Sequence, residues 1–81
     1  GMLVESVDPG GAAERAGILP GDVITRVENT PVGNGRNVMR EVRNAKPGEI
    51  LMIEIFREGQ LIELPTILGF GQAIVIESKE V

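Results

Sequence analysis

The sequence predicts a mainly β member of the α+β class, with about five or six short strands and two helices. Three stretches carry that reading. Ala12 to Ile24 writes a small-residue helical turn, a Pro20-Gly21 turn and the start of a strand within thirteen residues. Residues 36 to 45 repeat apolar and cationic side chains at helical spacing. Glu49 to Leu64 reads as two strands joined at Arg57-Glu58-Gly59-Gln60.

A chain of 81 residues has apolar area for one core, so residues 1–81 read as a single domain. Phe56 and Phe70 are its only aromatics, which leaves the core to aliphatic side chains and supplies no stacking platform for nucleic-acid bases. A net charge of -4 disfavours phosphate backbones and anionic lipid. The chain has neither cysteine nor histidine. Thiol nucleophiles, disulfides and the imidazole base of most hydrolytic triads are therefore excluded, and the sequence predicts no catalytic residue, metal site or cofactor. No apolar run approaches the ~20 residues that cross a bilayer, and no charged-then-apolar leader opens the chain. The domain reads as soluble and not inserted in a membrane, and as a piece of something longer, with Gly1 an added residue before Met2.

In order, residues 2 to 7 read as a strand stopped by Pro9-Gly10-Gly11. Ala12 to Ala16 form a short helix, and Gly17 supplies the left-handed residue that ends it. Asp22 to Val27 form a second strand. Glu28 to Val32 give a turn and a very short strand, with Asn29 as a residue tolerant of positive φ. After Gly33-Asn34-Gly35 comes the amphipathic helix 36 to 45. Val38, Val42 and Ala45 share its core face, Arg36, Arg40 and Arg43 share another, and Lys46-Pro47-Gly48 ends it. Glu49 to Phe56 and Leu61 to Leu64 form the hairpin, and residues 65 to 71 lead into a last apolar strand, Gln72 to Glu77.

The run Ala12-Ala13-Glu14-Arg15-Ala16-Gly17-Ile18-Leu19-Pro20-Gly21-Asp22-Val23-Ile24, preceded by Met2 to Gly10, resembles the signature of a bacterial-type PDZ domain. The strand pair 49–64, with its Arg-x-Gly turn, is similar to the PDZ domains of HtrA-type and site-2-type proteases. The resemblance is strong for residues 2 to 27 and weaker beyond. It implies a partly open β-barrel capped by two α-helices. It also implies a non-catalytic role: recognition of C-terminal or extended peptides within a larger bacterial or archaeal protease, periplasmic if that protease is HtrA-like.

In PDZ domains a Gly-rich loop, often Gly-Leu-Gly-Phe, holds the terminal carboxylate of a peptide, and the following strand pairs with it. In animal-type members that loop precedes the stretch matching residues 2 to 7. Here Ile67-Leu68-Gly69-Phe70 stands at the far end, so the chain resembles a circularly permuted PDZ domain; Ile67 replaces the first glycine of the motif. Gly69 and Gly71 leave room for converging N–H donors. The resemblance assigns Leu68 and Phe70 to an apolar pocket, and the strand beginning Gln72, Ala73, Ile74 to β-augmentation. From the helix it assigns Gly35, Met39 and Arg43 to the groove and Val42 to the pocket floor. Gly35 stands where members selecting Ser or Thr carry histidine, which implies an apolar or unspecific preference at that peptide position, and the pliant Met39 suits it.

Plainer readings stand beside these. Leu68 to Gly71 also fits an ordinary turn with Phe70 in the core, Met39 also fits a core gap, and the arginine face also fits a solvated surface. Asp22 has no partner nucleophile or base and reads as an acceptor for backbone N–H groups in the turn around Gly21. A rival function is self-association, in which the tail Ser78-Lys79-Glu80-Val81 enters the groove of a neighbouring copy.

Overall fold

The computed structural model describes residues 1–33, 35–46, 48–67 and 76–80; for Gly35, Met39, Val42 and 76–80 it describes the backbone alone. The elements run β1 (Met2–Val7), α1 (Ala12–Ala16), β2 (Val23–Val27), β3 (Thr30–Pro31), α2 (Gly35–Asn44), β4 (Ile50–Arg57), β5 (Gln60–Ile67) and β6 (Ile76–Glu80). Among the described residues the strands form one open sheet in the order β5-β4-β2-β1-β6, with β3 on β2. Each adjacent pair is antiparallel. The expected mainly β fold with two helices is present, as an open sheet and not a closed barrel.

Alternation builds the core. Leu51, Ile53 and Ile55 of β4 point inward and are buried, while Ile50, Met52 and Phe56 point out. On β2 the buried residues are Ile24 and Val27, three apart where a regular strand would need an even spacing. The register shifts between Ile24 and Arg26 opposite β4, and this irregularity at Thr25 returns Val27 to the inner face. A similar shift between Val4 and Ser6 opposite β6 lets Val4 and Val7 both face the core. Val38 of α2 is buried, and Ala45 just past the helix end packs against the cluster, so these two of the residues expected on one apolar face meet the core.

The α1 terminus follows the residue chemistry closely. Gly17 has φ 94°; its N–H donates to the Glu14 carbonyl, and the Ile18 N–H donates to that of Ala13. These are the two bonds of a Schellman ending, closed by the buried pair Ala13 and Ile18. At the other end Glu14 accepts from the Gly10 N–H at 3.0 Å.

Boundaries moved where pairing outweighs local signals. β5 runs through Pro65 to Ile67, past the expected end at Leu64, because β5 is an outer strand and an outer strand tolerates a residue without N–H. The positive φ of the turn after β2 falls on Glu28, at 53°, and not on Asn29 as expected. Helix α2 spans Gly35 to Asn44, one residue earlier than expected at each end.

Candidate functional site

Of the two elements proposed from sequence to flank a groove, helix α2 and the last strand, the strand is described only from Ile76 onward, as β6. Among the described residues β6 is an outermost strand, paired along one side with β1 from Val7↔Ile76 to Met2↔Glu80. Helix α2 lies against it. Of the expected strand 72–77, Ile76 and Glu77 are in β6; β6 then continues to Glu80, three residues past the expected end, because Ser78, Lys79 and Glu80 each find a partner on β1. The segment read as a free tail is therefore largely strand within its own chain.

Of the predicted site residues, Gly35, Met39 and Val42 lie in α2, and Arg43 is exposed in its last turn. Leu68, Gly69, Phe70, Gly71, Gln72, Ala73 and Ile74 lie outside the described residues. The loop's approach is described: β5 ends at Ile67, which is 58% exposed and follows directly on buried Thr66, whose hydroxyl donates to the Leu64 carbonyl at 3.2 Å.

Sequence reasoning missed two features. A groove of about 350 Å³ runs between α1 and the end of β5, lined by Ala12, Arg15, Ala16, Pro65 and Ile67. Nothing local signals it, because it joins residues some fifty positions apart. The second is the ion pair at Asp22. This residue, 2% exposed, accepts from the Leu19 N–H at 2.8 Å, as its place in the turn predicts. It also accepts from Arg57 Nε at 2.8 Å and Nη2 at 2.6 Å, and Nη2 reaches the Gly17 carbonyl at 2.8 Å. Burial pushes the Asp22 carboxyl up, but the bonds from Arg57 and Leu19 and the guanidinium charge outweigh it and hold the group below its ordinary value of 3.8. An ionised carboxylate with both oxygens held by Arg57 and the Leu19 N–H has no proton to give. It ties the α1 turn to β4 and serves structure. Among the described residues no group of acidic side chains is arranged to hold a metal, and no helix is long and apolar enough to cross a membrane.

The family model for the PDZ domain matches residues 1–68. This chain belongs to the PDZ family. Among its relatives, the serine endoprotease DegS of Haemophilus influenzae is 29% identical over 68 residues, spanning 84% of this chain and 20% of that protein. HhoA of Synechocystis is 41% identical over 64 residues, spanning 79% of this chain and 16% of that protein. Among solved structures, the HtrA-type protease AlgW with a decapeptide superposes with a TM-score of 0.77 at 36% identity, over 83% of this chain and 21% of that one. This PDZ domain thus corresponds to about a fifth of the length of such proteases. The matched range 1–68 spans the α1 turn, the Asp22 strand and the β4–β5 hairpin.

Proposed function

We propose that this PDZ domain binds C-terminal or extended peptide segments by strand addition to the last strand, residues 72–77, in the space between that strand and the helix 36–45. It does so as a non-catalytic, substrate-selecting or regulatory part of a larger protease. The observation that carries the reading is the position of β6, in which that strand ends: among the described residues it is an outer strand, paired on one side by β1 and accompanied by α2. An outer strand offers a row of backbone donors and acceptors to an incoming chain. The decapeptide in the AlgW structure supports the same kind of occupant here.

In this reading the chain is a circular permutant. β5 leads into Leu68-Gly69-Phe70-Gly71, whose amides receive the terminal carboxylate, and the strand that follows pairs with the peptide. Val42, Leu68 and Phe70 surround the terminal side chain, and Gly35 and Met39 leave the position two residues upstream without a hydrogen-bond requirement. The test is a binding screen of a peptide library with free-acid and amidated ends measured side by side. The reading expects free acids with apolar terminal residues to bind and their amides to lose most of that affinity. Equal binding of both forms would remove the carboxylate role of residues 68–71, and binding by neither would remove the peptide reading.

A further inference from the structure

Strand β5 pairs with β4 from Arg57↔Gln60 to Ile50↔Ile67 and, among the described residues, with no strand on its other side. The two-residue turn Glu58-Gly59 makes Arg57 and Gln60 a hydrogen-bonded pair, and bonded pairs then recur at every second residue. Gln60, Ile62, Leu64 and Thr66 therefore turn their backbone groups toward β4, while Leu61, Glu63, Pro65 and Ile67 turn theirs to the open edge. Pro65 falls in the outward set, where its missing N–H costs the sheet no bond. Helix α1 stands at the far end of this strand. Ala12, Arg15 and Ala16 of the helix and Pro65 and Ile67 of the strand line the groove of about 350 Å³, near the lower bound of the ~300–1,000 Å³ of ligand clefts. The alanines give it an apolar wall without bulk. Arg15 is exposed and, among the described residues, makes no ion pair, whereas Glu14 beside it is turned to the Gly10 N–H. An open strand edge, an apolar cleft and an unopposed cation thus meet in one place.

We propose that this groove is a second peptide site, which takes a short extended segment from within a chain. The segment adds to the open edge of β5, seats an aliphatic side chain against Ala12, Ala16 and Ile67, and sets an Asp or Glu against Arg15. Backbone bonds supply affinity, and the alanine-walled space and the cation supply selection. The site needs no terminal carboxylate and involves neither the last strand nor α2, so it stands apart from the reading above. Pro65 limits the ladder, which suits a short segment. A second copy of this chain fits less well, because two β5 edges would bring two Pro65 residues into one ladder, each lacking a donor. The exposed contact with Arg15 acts as a preference and not as a requirement.

The test follows backbone amide signals of the isotope-labelled 81-residue chain during titration with a heptapeptide acetylated at one end and amidated at the other. It is threonine throughout, except for a central Leu and a Glu two residues to either side, on the same face of the strand as the Leu. The control carries Gln in place of both Glu. Saturable shifts are expected at Ala12, Arg15 and Ala16, and at the outward amides of Leu61, Glu63 and Ile67 more than at those of Ile62, Leu64 and Thr66. Glu63 is exposed on the same edge, so the role of Arg15 is read from a cycle and not from raw affinity. Arg15→Gln is expected to weaken the Glu peptide about two- to fivefold and to leave the Gln peptide unchanged. Ala16→Leu, a helix-compatible change that fills the groove, is expected to abolish the shifts. Absence of saturable shifts at α1 and β5 in the unaltered chain overturns the site. Equal loss of the Glu and Gln peptides in Arg15→Gln overturns the acid preference. Shifts at the same amides that grow with protein concentration in the absence of peptide would put a second copy on this edge and overturn the peptide occupant.

Discussion

Arg57 grips Asp22 with two nitrogens, Nε at 2.8 Å and Nη2 at 2.6 Å, across 35 positions of sequence. One residue closes the turn between α1 and β2, and the other ends β4. The same Nη2 also reaches the carbonyl of Gly17, so a single guanidinium joins the helix ending, the turn and the sheet. The turn is thereby held against the body of the domain.

Removing the acid leaves a guanidinium and the Leu19 N–H without their acceptor. Asp22→Ala is expected to lower stability by about 2–3 kcal/mol in urea denaturation. Asp22→Asn keeps an acceptor for Leu19 and costs less. Arg57→Ala is expected to destabilise in the same direction, and the double variant to cost less than the two single changes together, since both break one interaction. Additive losses would show that the pair is not coupled.

The same pair sets a response to acid. The Asp22 pKa is lower in the folded state than its ordinary value of 3.8. The unfolded chain therefore takes up this proton first, and the stabilisation is fully present above about pH 4–5 and lost as pH falls through the folded value. Urea midpoints are expected to approach those of Asp22→Asn as pH falls below 3.8 and through the lower folded value. A constant difference across the acid range would contradict this.

Two turns hold non-glycine residues in the left-handed region, Glu28 at φ 53° and Glu58 at φ 50°. In the β4–β5 hairpin Glu58 is followed by Gly59 at φ 79°, which gives the two positive φ angles a type I′ turn requires. Asn enters that region at lower cost than Glu. Glu58→Asn is expected to stabilise the domain by about 0.5–1 kcal/mol, read as a raised urea midpoint with an unchanged slope. A lowered midpoint would show that the Glu58 side chain contributes more than its backbone costs.

Local chemistry made much of this molecule readable in advance. The α1 ending, the Pro20-Gly21 turn and the β4–β5 hairpin depend on bonds spanning a few residues, and Gly17, Gly21 and Gly59 announce them. The Arg57 partner of Asp22 was not readable, because a charge at the end of one strand does not state which distant turn it meets. Nor were the ends of β5 and β6. Pro65 signals a stop that an outer strand overrides, and Ser78 to Glu80 look like a polar tail until Met2, Leu3 and Val4 pair with them. Of the candidate site, helix α2 was anticipated from its apolar and cationic spacing, while residues 68 to 74 lie outside the described part of the chain.

The central claim is that the glycine-flanked segment after β5 receives a peptide carboxylate while the last strand pairs with the peptide. It is tested most directly by following backbone amide signals of the isotope-labelled domain during titration with a free-acid peptide ending in valine, and with its amidated counterpart. The account predicts that the free acid shifts the amides of Leu68 to Gly71 most, with further shifts along residues 72–77 and in α2 from Gly35 to Arg43, and that the amidated peptide leaves residues 68–71 nearly unmoved. Shifts concentrated instead at Ala12, Arg15, Ala16 and Ile67, with the amides of Leu68 to Gly71 still, would contradict it and place the ligand in the groove between α1 and β5.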